Sequence, residues 1–409
     1  MVKIKPKRLL ADLHELRKFG ACGKGVVRTA FSQVDLDSRQ WLIGKMTEAG
    51  LHVQEDGIGN VIGYSRNSGQ ALLMGSHTDT QPEGGWLDGS LGVISALEVA
   101  RTLLESSNTQ YRAVDIASWM DEEGTFCGLL GSRSFCGKIS PEVIANAKDR
   151  NGLTLTEAIH AAGLNEVPVA RIDPGRYVAY LEAHIEQGAR LVSAKKHIGV
   201  VTAIVGIRSF KLVFTGEQNH AGTTPMQLRK DAGMALIRLA NDIDAVYRKI
   251  SGDTTVWTIG HVKFEPGSHS IVPGHAEMML QFRDPDSRLL DRFEAALYDL
   301  VAMGKKTGPV EITIEPLGAP IPPAFMDDGL QEHIVRAAET HAPGDWICMP
   351  SGAGHDAMVF ADILPTAMLF VPSIGGISHN FAEDTKEEDI VLGCQVFATA
   401  AASILKAHT

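Results

Sequence analysis

Hydrophobic residues follow different periods along the chain, and the change between them divides it into regions. In the first half, short apolar runs alternate with segments of helical periodicity, the pattern of a sheet covered by helices. The runs that predict strands are ALLMGSH (71–77), AVDIASWM (113–120) and YVAYLEAHI (177–185). A helix is predicted over SLGVISALEVARTLL (90–104), with Asp88 and Ser90 suited to its start. The predicted fold class is α/β, a mixed sheet with helices on it.

From about residue 209 the pattern changes to alternating, half-buried strands and two long amphipathic helices. The strands are SFKLVFTG, TTVWTIGHVKF and AEMMLQFRD, and the helices are DAGMALIRLANDIDAVYRKI and LLDRFEAALYDLVAMGKKTG. This favours a smaller α+β domain of two helices on a four-stranded sheet, inserted at 209–323 into a domain formed by 1–208 and 324–409. The proline-rich LGAPIPPAF (317–325) is the predicted linker back. Two domains in sequential order would produce the same local pattern.

Composition narrows the class of protein. The chain has 409 residues, 44% hydrophobic and 21% charged, which is typical of a globular protein with a large core. A formal net charge of -11 and no long basic run argue against a nucleic-acid partner. We expect a cytoplasmic protein with no membrane partner, since no long apolar span or cleavable leader is recognisable. The five scattered cysteines are expected to be mostly small buried hydrophobes.

Polar side chains follow the first predicted strand at its carboxyl end. His77 and Asp79 are two residues apart, so an extended chain directs them to the same face. Asp88 follows after the glycine-rich EGGWLDG, which allows the backbone to turn back toward the strand end. In α/β sheets, ligand sites lie beyond the carboxyl ends of strands. The three side chains are therefore expected to converge there.

Other predicted strands end in the same way. Acids, imidazoles and an amide lie in or just after the last residues of these runs, and one further histidine follows a glycine turn: Asp121, Glu122, Glu123, Glu182, His184, Glu186, Gln187 and His379. Taken singly, each has an ordinary structural explanation, a satisfied histidine or a solvated acid. Together, at strand ends beside glycines, imidazoles and carboxylates form a ligand set for zinc or a similar divalent ion. The sequence therefore predicts a metal site.

Seven segments resemble the hydantoinase/carbamoylase family of amidohydrolases, within the clan of aminoacylase-like metallopeptidases. They are GSHTDT, GGWLDGSLGV, MDEEG, HIEQG, NHAGTTPM, SGAGHDAM and GGISHNFAED, spread over most of the chain. The resemblance implies a catalytic α/β domain interrupted by a lid and dimerisation domain. It also implies a hydrolase that cleaves linear amide C–N bonds.

The resemblance also implies two metal ions bridged by Asp88. The other ligands would be His77, Glu123, His184 and His379. Zinc is the metal assumed, with manganese, cobalt or nickel as alternatives. Asp79 would accept a hydrogen bond from the outer nitrogen of His77 and fix its tautomer.

Further roles follow from the same resemblance. Glu122 would be the general base, and His220 would donate to the oxyanion from the lid, reaching the active site of the partner in a homodimer. Arg283 would clamp a substrate carboxylate, which its planar fork suits, unless it pairs with Asp284 or Asp286. The remaining substrate-pocket residues implied are Gln187, Ser270, Gly354 and His355.

The sequence departs from the family pattern at two places. Ser270 in SHSIVPG stands where relatives tend to have an asparagine, which weakens the expected substrate contact there. Arg208 is followed by Ser209, where allantoate-acting relatives tend to have paired arginines. The sequence therefore favours hydrolysis of N-carbamoyl-L-amino acids, or N-carbamoyl-β-alanine, to the amino acid, CO₂ and ammonia. Allantoate hydrolysis is the first alternative and an aminoacylase or dipeptidase the next. A non-catalytic binding protein of the same fold is disfavoured because Glu122 and all five ligands are present.

Overall fold

The computed structural model describes residues 2–106 and 113–408. The chain divides into two compact units, residues 1–202 with 325–409 (unit 1) and residues 203–324 (unit 2). Boundaries predicted from sequence lie close to this division. The insertion of one unit within the other follows from the chain order.

Unit 1 contains a mixed sheet of nine described strands and a separate two-stranded ribbon. The ribbon is β1 (Ala21–Cys22) with β2 (Gly25–Val26), and the sheet consists of β3 (His52–Glu55), β4 (Val61–Tyr64), β5 (Ala71–His77), β6 (Ala113–Trp119), β7 (Tyr177–Ile185), β8 (Ile198–Ile204), β15 (Ala324–Phe325), β16 (Trp346–Ser351) and β17 (Thr366–Val371). The order is β15-β8-β17-β7-β5-β6-β4-β3, and β16 pairs with β8. Its centre, β17-β7-β5-β6, is parallel, whereas β8 is antiparallel to β17, β4 to β6 and β3 to β4.

Helices cover this sheet, as the alternating sequence pattern predicted. They are α1 (Pro6–Lys18), α2 (Gln33–Glu48), α3 (Ser90–Glu105), α4 (Leu130–Phe135), α5 (Pro141–Asn146), α6 (Leu155–Ala161), α7 (Arg190–Ala194), α10 (Asp328–His341), α11 (Ala357–Phe360) and α12 (Glu387–Ala407), with 3₁₀ turns at Pro174–Arg176 and Ile374–Gly376. Helix α12 has the length and apolar composition that a membrane-spanning helix needs, but 56% of its most apolar 18-residue stretch is buried inside the protein. It packs against α3 and α10, as a core helix does.

Unit 2 is a four-stranded antiparallel sheet with two long helices against it. Its elements are β9 (Gly206–Thr215), β10 (Asn219–His220), a 3₁₀ turn (Met226–Leu228), α8 (Ala232–Ile250), β11 (Val256–Glu265), β12 (Ile271–Val272), β13 (His275–Asp284), α9 (Ser287–Thr307) and β14 (Glu311–Pro316). The sheet order is β11-β13-β9-β14, and β10 pairs with β12 as a separate ribbon. The proline-rich segment predicted as a linker continues the pairing, with Ile321 bridged to Ile207. Strand β14 had no prediction of its own.

The cysteines differ from expectation. All five are free, but Cys394 is the buried one, while Cys22 and Cys348 are exposed and Cys127 and Cys136 are half-buried. The expectation that most are buried is therefore wrong.

Helix α3 begins in a different way from that predicted. Neither Asp88 nor Ser90 caps it; the N-cap is Gly89, with a φ of 63°, and no side chain bonds to the first turn. A Cβ built on Gly89 would lie 2.4 Å from the imidazole of His77. Glycine is needed here for both the backbone conformation and the close approach of the histidine.

We expect Gly89→Ala to destabilise the protein by about 1–3 kcal/mol, because alanine strains at this φ and its methyl group displaces His77. The measurement is the free energy of urea unfolding of the full chain, followed by tryptophan fluorescence. A matched control is Gly44→Ala inside α2, where an added Cβ meets nothing within 4 Å. This control should stabilise by about 0.5–1 kcal/mol. A Gly89→Ala protein as stable as the wild type would contradict the packing argument.

Candidate metal centre and hydrolytic site

Four adjacent parallel strands bring their following loops to one edge of the unit 1 sheet. Strand β5 ends in His77, β7 carries His184 near its end, β6 leads into Glu122 and Glu123, and β17 leads into the loop of His379. Carboxyl ends of neighbouring parallel strands meet at the same edge, so these distant segments converge.

The predicted ligands form two groups that share Asp88. One is His77, Asp88 and His184; the other is Asp88, Glu123 and His379; within each group the ligand atoms lie within 4.8 Å of one another. Asp88 Oδ1 lies 3.1 Å from His184 Nε2 and 3.9 Å from His77 Nε2. The other oxygen, Oδ2, lies 3.4 Å from His379 Nε2, which is 3.5 Å from Glu123 Oε2. A single carboxylate thus faces both groups, one oxygen to each.

Ring contacts of the two buried histidines fit a metal better than a plain ion pair. His77 Nδ1 lies 3.0 Å from the carbonyl oxygen of Asp79, and His184 Nδ1 lies 2.8 Å from that of Ile185. A carbonyl only accepts, so each Nδ1 carries a proton, and in the neutral ring each Nε2 then presents a lone pair toward Asp88. The backbone N–H of Gly89 also donates to His184 Nε2 at 3.1 Å. Lone pairs and a carboxylate facing one another call for a cation between them.

Charge and hydrogen bonding in the second group lead to the same conclusion. Glu123 Oε1 is buried with no hydrogen-bond partner among the described residues. Burial and the charge of Asp88 raise the pKa of Glu123 to about 7. Although burial alone would raise the pKa of Asp88, its contacts with His184 and His379 hold that pKa well below its ordinary value. Three imidazoles and two carboxylates are the donors that zinc and related divalent ions accept.

Glu122 lies beside the first group without belonging to it. Its Oε2 is 3.6 Å from His77 Nε2, and its side chain is 11% exposed. Burial raises the pKa of Glu122 well above its ordinary value, His77 opposes this, and Asp356 and Glu123 add to it. A partly accessible carboxyl group with a raised pKa is suited to accept and return a proton near neutral pH.

The contacts of Asp79 differ from those predicted. His77 Nδ1 is closer to the backbone carbonyl of Asp79, at 3.0 Å, than to its carboxylate Oδ1, at 3.5 Å. The carboxylate instead accepts hydrogen bonds from the backbone N–H groups of Glu122, at 3.3 Å, and Glu123, at 3.2 Å. Asp79 therefore orients the adjacent glutamates as well as the histidine.

Gln187 lies between the two groups. Its Nε2 donates to both oxygens of Asp88, at 3.3 and 3.1 Å, and lies 3.3 Å from His379 Nε2. Its Oε1 is buried without a described partner. Backbone φ is positive at Gln187 (59°), His379 (51°) and Asp121 (54°), which is uncommon for residues other than glycine. Strained loops of this kind concentrate at functional sites.

The SGAGHDA segment adjoins the first group. His355 is buried, its ring centroid lies 4.5 Å from that of His184, and its Nε2 lies 3.0 Å from Ser351 Oγ. Burial lowers the pKa of His355 well below its ordinary value, so the ring is neutral. Gly354 is half-buried, with open space around its α-carbon apart from Met358. His355 thus packs behind a ligand, and Gly354 is the more accessible of the two.

In unit 2, the structure brings His220 and Ser270 together. His220 is exposed on β10, opposite Ile271 of β12, and the carbonyl of Ser270 accepts from the N–H of Ala221 at 2.9 Å. His220 Nδ1 accepts from the N–H groups of Gly222, at 3.0 Å, and Thr223, at 3.2 Å. The ring proton is therefore on Nε2, which is available as a donor.

Arg283 lies on β13, half-buried, and its Nε donates to Gln281 Oε1 at 2.8 Å. Burial lowers the pKa of Arg283 from its ordinary value. The two acids considered as its partners have other contacts: Asp284 accepts from Thr255 Oγ1 at 2.6 Å, and Asp286 caps helix α9.

Sequence reasoning missed two residues that hold the ligands. Gln81 Nε2 donates to Glu123 Oε2 at 2.8 Å, and Glu383 Oε1 accepts from the N–H of Asp88 at 3.1 Å. Gln81 continues the two-residue spacing of His77 and Asp79 along an extended segment, which could have identified it. No local pattern marks Glu383, because its partner is almost three hundred positions away in the sequence.

Comparison with known proteins gives a consistent result. The profile of peptidase family M20/M25/M40 matches residues 73–403. The chain is 34% identical over 402 residues to an N-carbamoyl-L-amino acid amidohydrolase of Geobacillus stearothermophilus, covering 96% of this chain and 97% of that one. It is also 34% identical over 392 residues to an allantoate amidohydrolase of Escherichia coli K12, covering 94% of each.

Among solved structures, the fold resembles a hydantoinase/carbamoylase family amidase from Burkholderia phymatum, with a TM-score of 0.95, 51% identity and 100% of both chains covered. These matches extend over nearly the whole chain, including every segment that converges at the sheet edge. The protein therefore belongs to peptidase family M20/M25/M40, among its hydantoinase/carbamoylase amidases, and is a hydrolase of C–N amide bonds.

Proposed function

We propose that this protein is a metal-dependent amidohydrolase that cleaves the carbamoyl C–N bond of N-carbamoyl-L-amino acids or N-carbamoyl-β-alanine. The products are the amino acid, CO₂ and ammonia. The observation that carries the proposal is the pair of ligand groups joined by Asp88, with Glu122 beside them. The free state of all five cysteines also fits a reducing cytoplasm.

Two divalent ions are the proposed cofactors, since enzymes of this family generally use divalent metals. Asp88 would bridge them, with His77 and His184 on one side and Glu123 and His379 on the other. When bound, two such ions lower the pKa of a shared water and polarise the substrate carbonyl. We take zinc first, with manganese, cobalt or nickel as alternatives, because the donor set of nitrogen and oxygen suits all four.

Glu122 is the proposed general base. It accepts the proton of the attacking water and returns it to the leaving nitrogen, so one carboxyl group serves both halves of the reaction. Asp79 supports this role by holding the N–H groups of Glu122 and Glu123. The raised pKa of Glu122 matches a group that must exchange a proton twice in each cycle.

His220 is the proposed donor to the oxyanion of the tetrahedral intermediate. Its Nε2 proton, fixed by the two backbone donors at Nδ1, makes the neutral ring suited to this role. Arg283 is the proposed clamp for the substrate carboxylate, and its partial burial would strengthen a bidentate contact. Gln187, Ser270, Gly354 and His355 are proposed to complete the pocket, with His355 acting through its contact with His184.

A homodimer, in which the lid residues of one subunit reach the active site of the other, is part of the proposal. Strand β11 is an outer strand of the unit 2 sheet, and it exposes Val256 (54%), Val262 (46%) and Phe264 (36%). Helix α8 exposes Met234 and Ile237 as well. A ten-residue edge strand with apolar side chains is a surface that pairs readily with a second copy.

Allantoate hydrolysis is the alternative substrate class, since a carbamoylase relative and an allantoate relative are each 34% identical to this chain. Arg208 argues against it. Its guanidinium pairs with Asp291 and Glu294 of α9, so its charge is already compensated within unit 2. Ser209, next to it, offers no second cation.

The substrate class is tested by measuring ammonia release from N-carbamoyl-L-amino acids, N-carbamoyl-β-alanine and allantoate in parallel. We expect turnover of at least one N-carbamoyl amino acid, with allantoate much slower, because a single compensated arginine provides no paired site. A Glu122→Gln protein purified in the same way controls for contaminating activity. Turnover of allantoate alone would contradict the carbamoylase assignment.

The base, the oxyanion donor and the dimer are tested together by complementation. Glu122→Gln and His220→Ala should each lower kcat by about 10²–10⁴ with metal content unchanged, since neither is a ligand. A heterodimer of the two variants, purified through two different tags, should recover about half the wild-type activity, because one site then has both groups.

Each variant alone, carrying the same two tags, is the matched control for this heterodimer. If His220 acts within its own subunit, no heterodimer site contains both groups, and activity stays at the level of the single variants. That result would overturn the proposed reach of the lid into the partner.

A further inference from the structure

A cavity of about 200 Å³ lies beside the ligand Glu123, entirely within unit 1. It is formed by four segments: Thr29; Thr80, Gln81 and Pro82; Glu123, Gly124 and Thr125; and Asp149, Arg150 and Asn151. Sites for whole small molecules usually measure about 300–1,000 Å³, so this cavity is sized for part of a ligand. Its contact with Glu123 puts it next to the proposed reacting centre.

The walls of the cavity are polar and already organised. Thr80 Oγ1 accepts from the N–H of Arg28 at 2.9 Å, and Gln81 Nε2 donates to Glu123. The hydroxyl groups of Thr29 and Thr125 add further hydrogen-bonding capacity. A lining with few apolar side chains favours a polar group over a hydrocarbon one.

Arg150 is the cation of this lining. It is exposed, and in the part of the chain that the structure describes, its guanidinium has no ion pair or hydrogen bond. The other charged side chains of the lining are Glu123 and Asp149. The carboxylate of Glu123 is already assigned to metal binding. Arg150 is therefore free to bind a carboxylate brought by the substrate.

Hydrogen bonds made by the side chain and the backbone of Asp149 hold the turn that carries Arg150. Asp149 Oδ1 accepts from the N–H groups of Asn151, at 2.9 Å, and Leu153, at 2.8 Å, and its backbone N–H donates to Leu153 at 2.9 Å. Lys148 and Thr154 close the turn by a β-bridge. The carboxylate of Asp149 is thereby directed into its own turn, and Arg150 is presented from a fixed position.

We propose that this cavity is the subsite for the substrate's side chain and that Arg150 selects an acidic one, so that N-carbamoyl-L-aspartate or N-carbamoyl-L-glutamate is preferred. The inference rests on the proposed function, in which Arg283 holds the α-carboxylate and the metal centre holds the carbamoyl group. The side chain is the remaining polar end of such a substrate. A subsite built around a charge rejects the uncharged analogue strongly, because its own polar groups are then left unpaired.

The experiment compares kcat/KM for N-carbamoyl derivatives of L-aspartate, L-asparagine, L-leucine and L-lysine. We expect kcat/KM for N-carbamoyl-L-aspartate to exceed that for N-carbamoyl-L-asparagine by about 10- to 100-fold. In Arg150→Gln most of this ratio should be lost, because KM for the aspartate derivative rises. Arg150→Lys should keep part of it. Arg150→Glu should shift preference toward lysine, a gain that misfolding cannot produce.

Arg66→Gln is the matched control, since Arg66 is exposed on the same unit outside the cavity, and its ratio should equal that of the wild type. Equal loss on aspartate and asparagine in Arg150→Gln would show that Arg150 binds the α-carboxylate and would overturn the inference. If the wild type hydrolyses the leucine and asparagine derivatives as fast as the aspartate derivative, the subsite proposal is contradicted and the proposed function is not. If no N-carbamoyl amino acid is hydrolysed, both the subsite proposal and the proposed function are contradicted.

Discussion

Electrostatic repulsion among buried acids is the constraint on which this site depends. Asp79, Asp88, Glu122 and Glu123 are all nearly buried at one edge of the sheet, with three imidazoles among them. Burying a charge without compensation costs several kcal/mol, and repulsion between carboxylates adds to it. Backbone N–H groups neutralise part of this at Asp79, but Glu123 Oε1 has no described partner. Cations in the two ligand groups would relieve the remainder.

The fold makes this concentration of charge possible. Parallel strands β17, β7, β5 and β6 are buried on both faces, so polar residues can enter only where the strands end. Around that edge the backbone adopts uncommon conformations, since three residues other than glycine have positive φ. Gly89 leaves room for the ring of His77, where the methyl group of an alanine would not fit. Gln81 and Glu383 then fix the ligands from outside.

Much of this could be predicted from sequence because the information is local or repeats along the chain. Strand β5 with His77 and Asp79 follows from apolar runs and two-residue spacing, and the resemblance to known amidases supplied the more distant ligands. What could not be predicted depends on tertiary contacts. The carboxylate of Asp79 turns to the N–H groups after β6, Glu383 meets Asp88 across most of the chain, and the start of α3 is decided by the neighbouring ring rather than by a cap. The same applies to the subsite, since only the folded chain brings Arg150 and Glu123 to the lining of one cavity.

Metal stoichiometry tests the central claim, that Asp88 joins two ion sites, most directly. Wild-type protein and two variants would be equilibrated with zinc or manganese and freed of excess ion. The number of metal ions bound per chain would then be measured by elemental mass spectrometry. The account predicts about two ions per chain in the wild type, about one in His379→Ala, and almost none in Asp88→Ala, because that variant removes a ligand from both groups. Two ions retained by Asp88→Ala, or no more than trace metal in the wild type under any of these conditions, would contradict it.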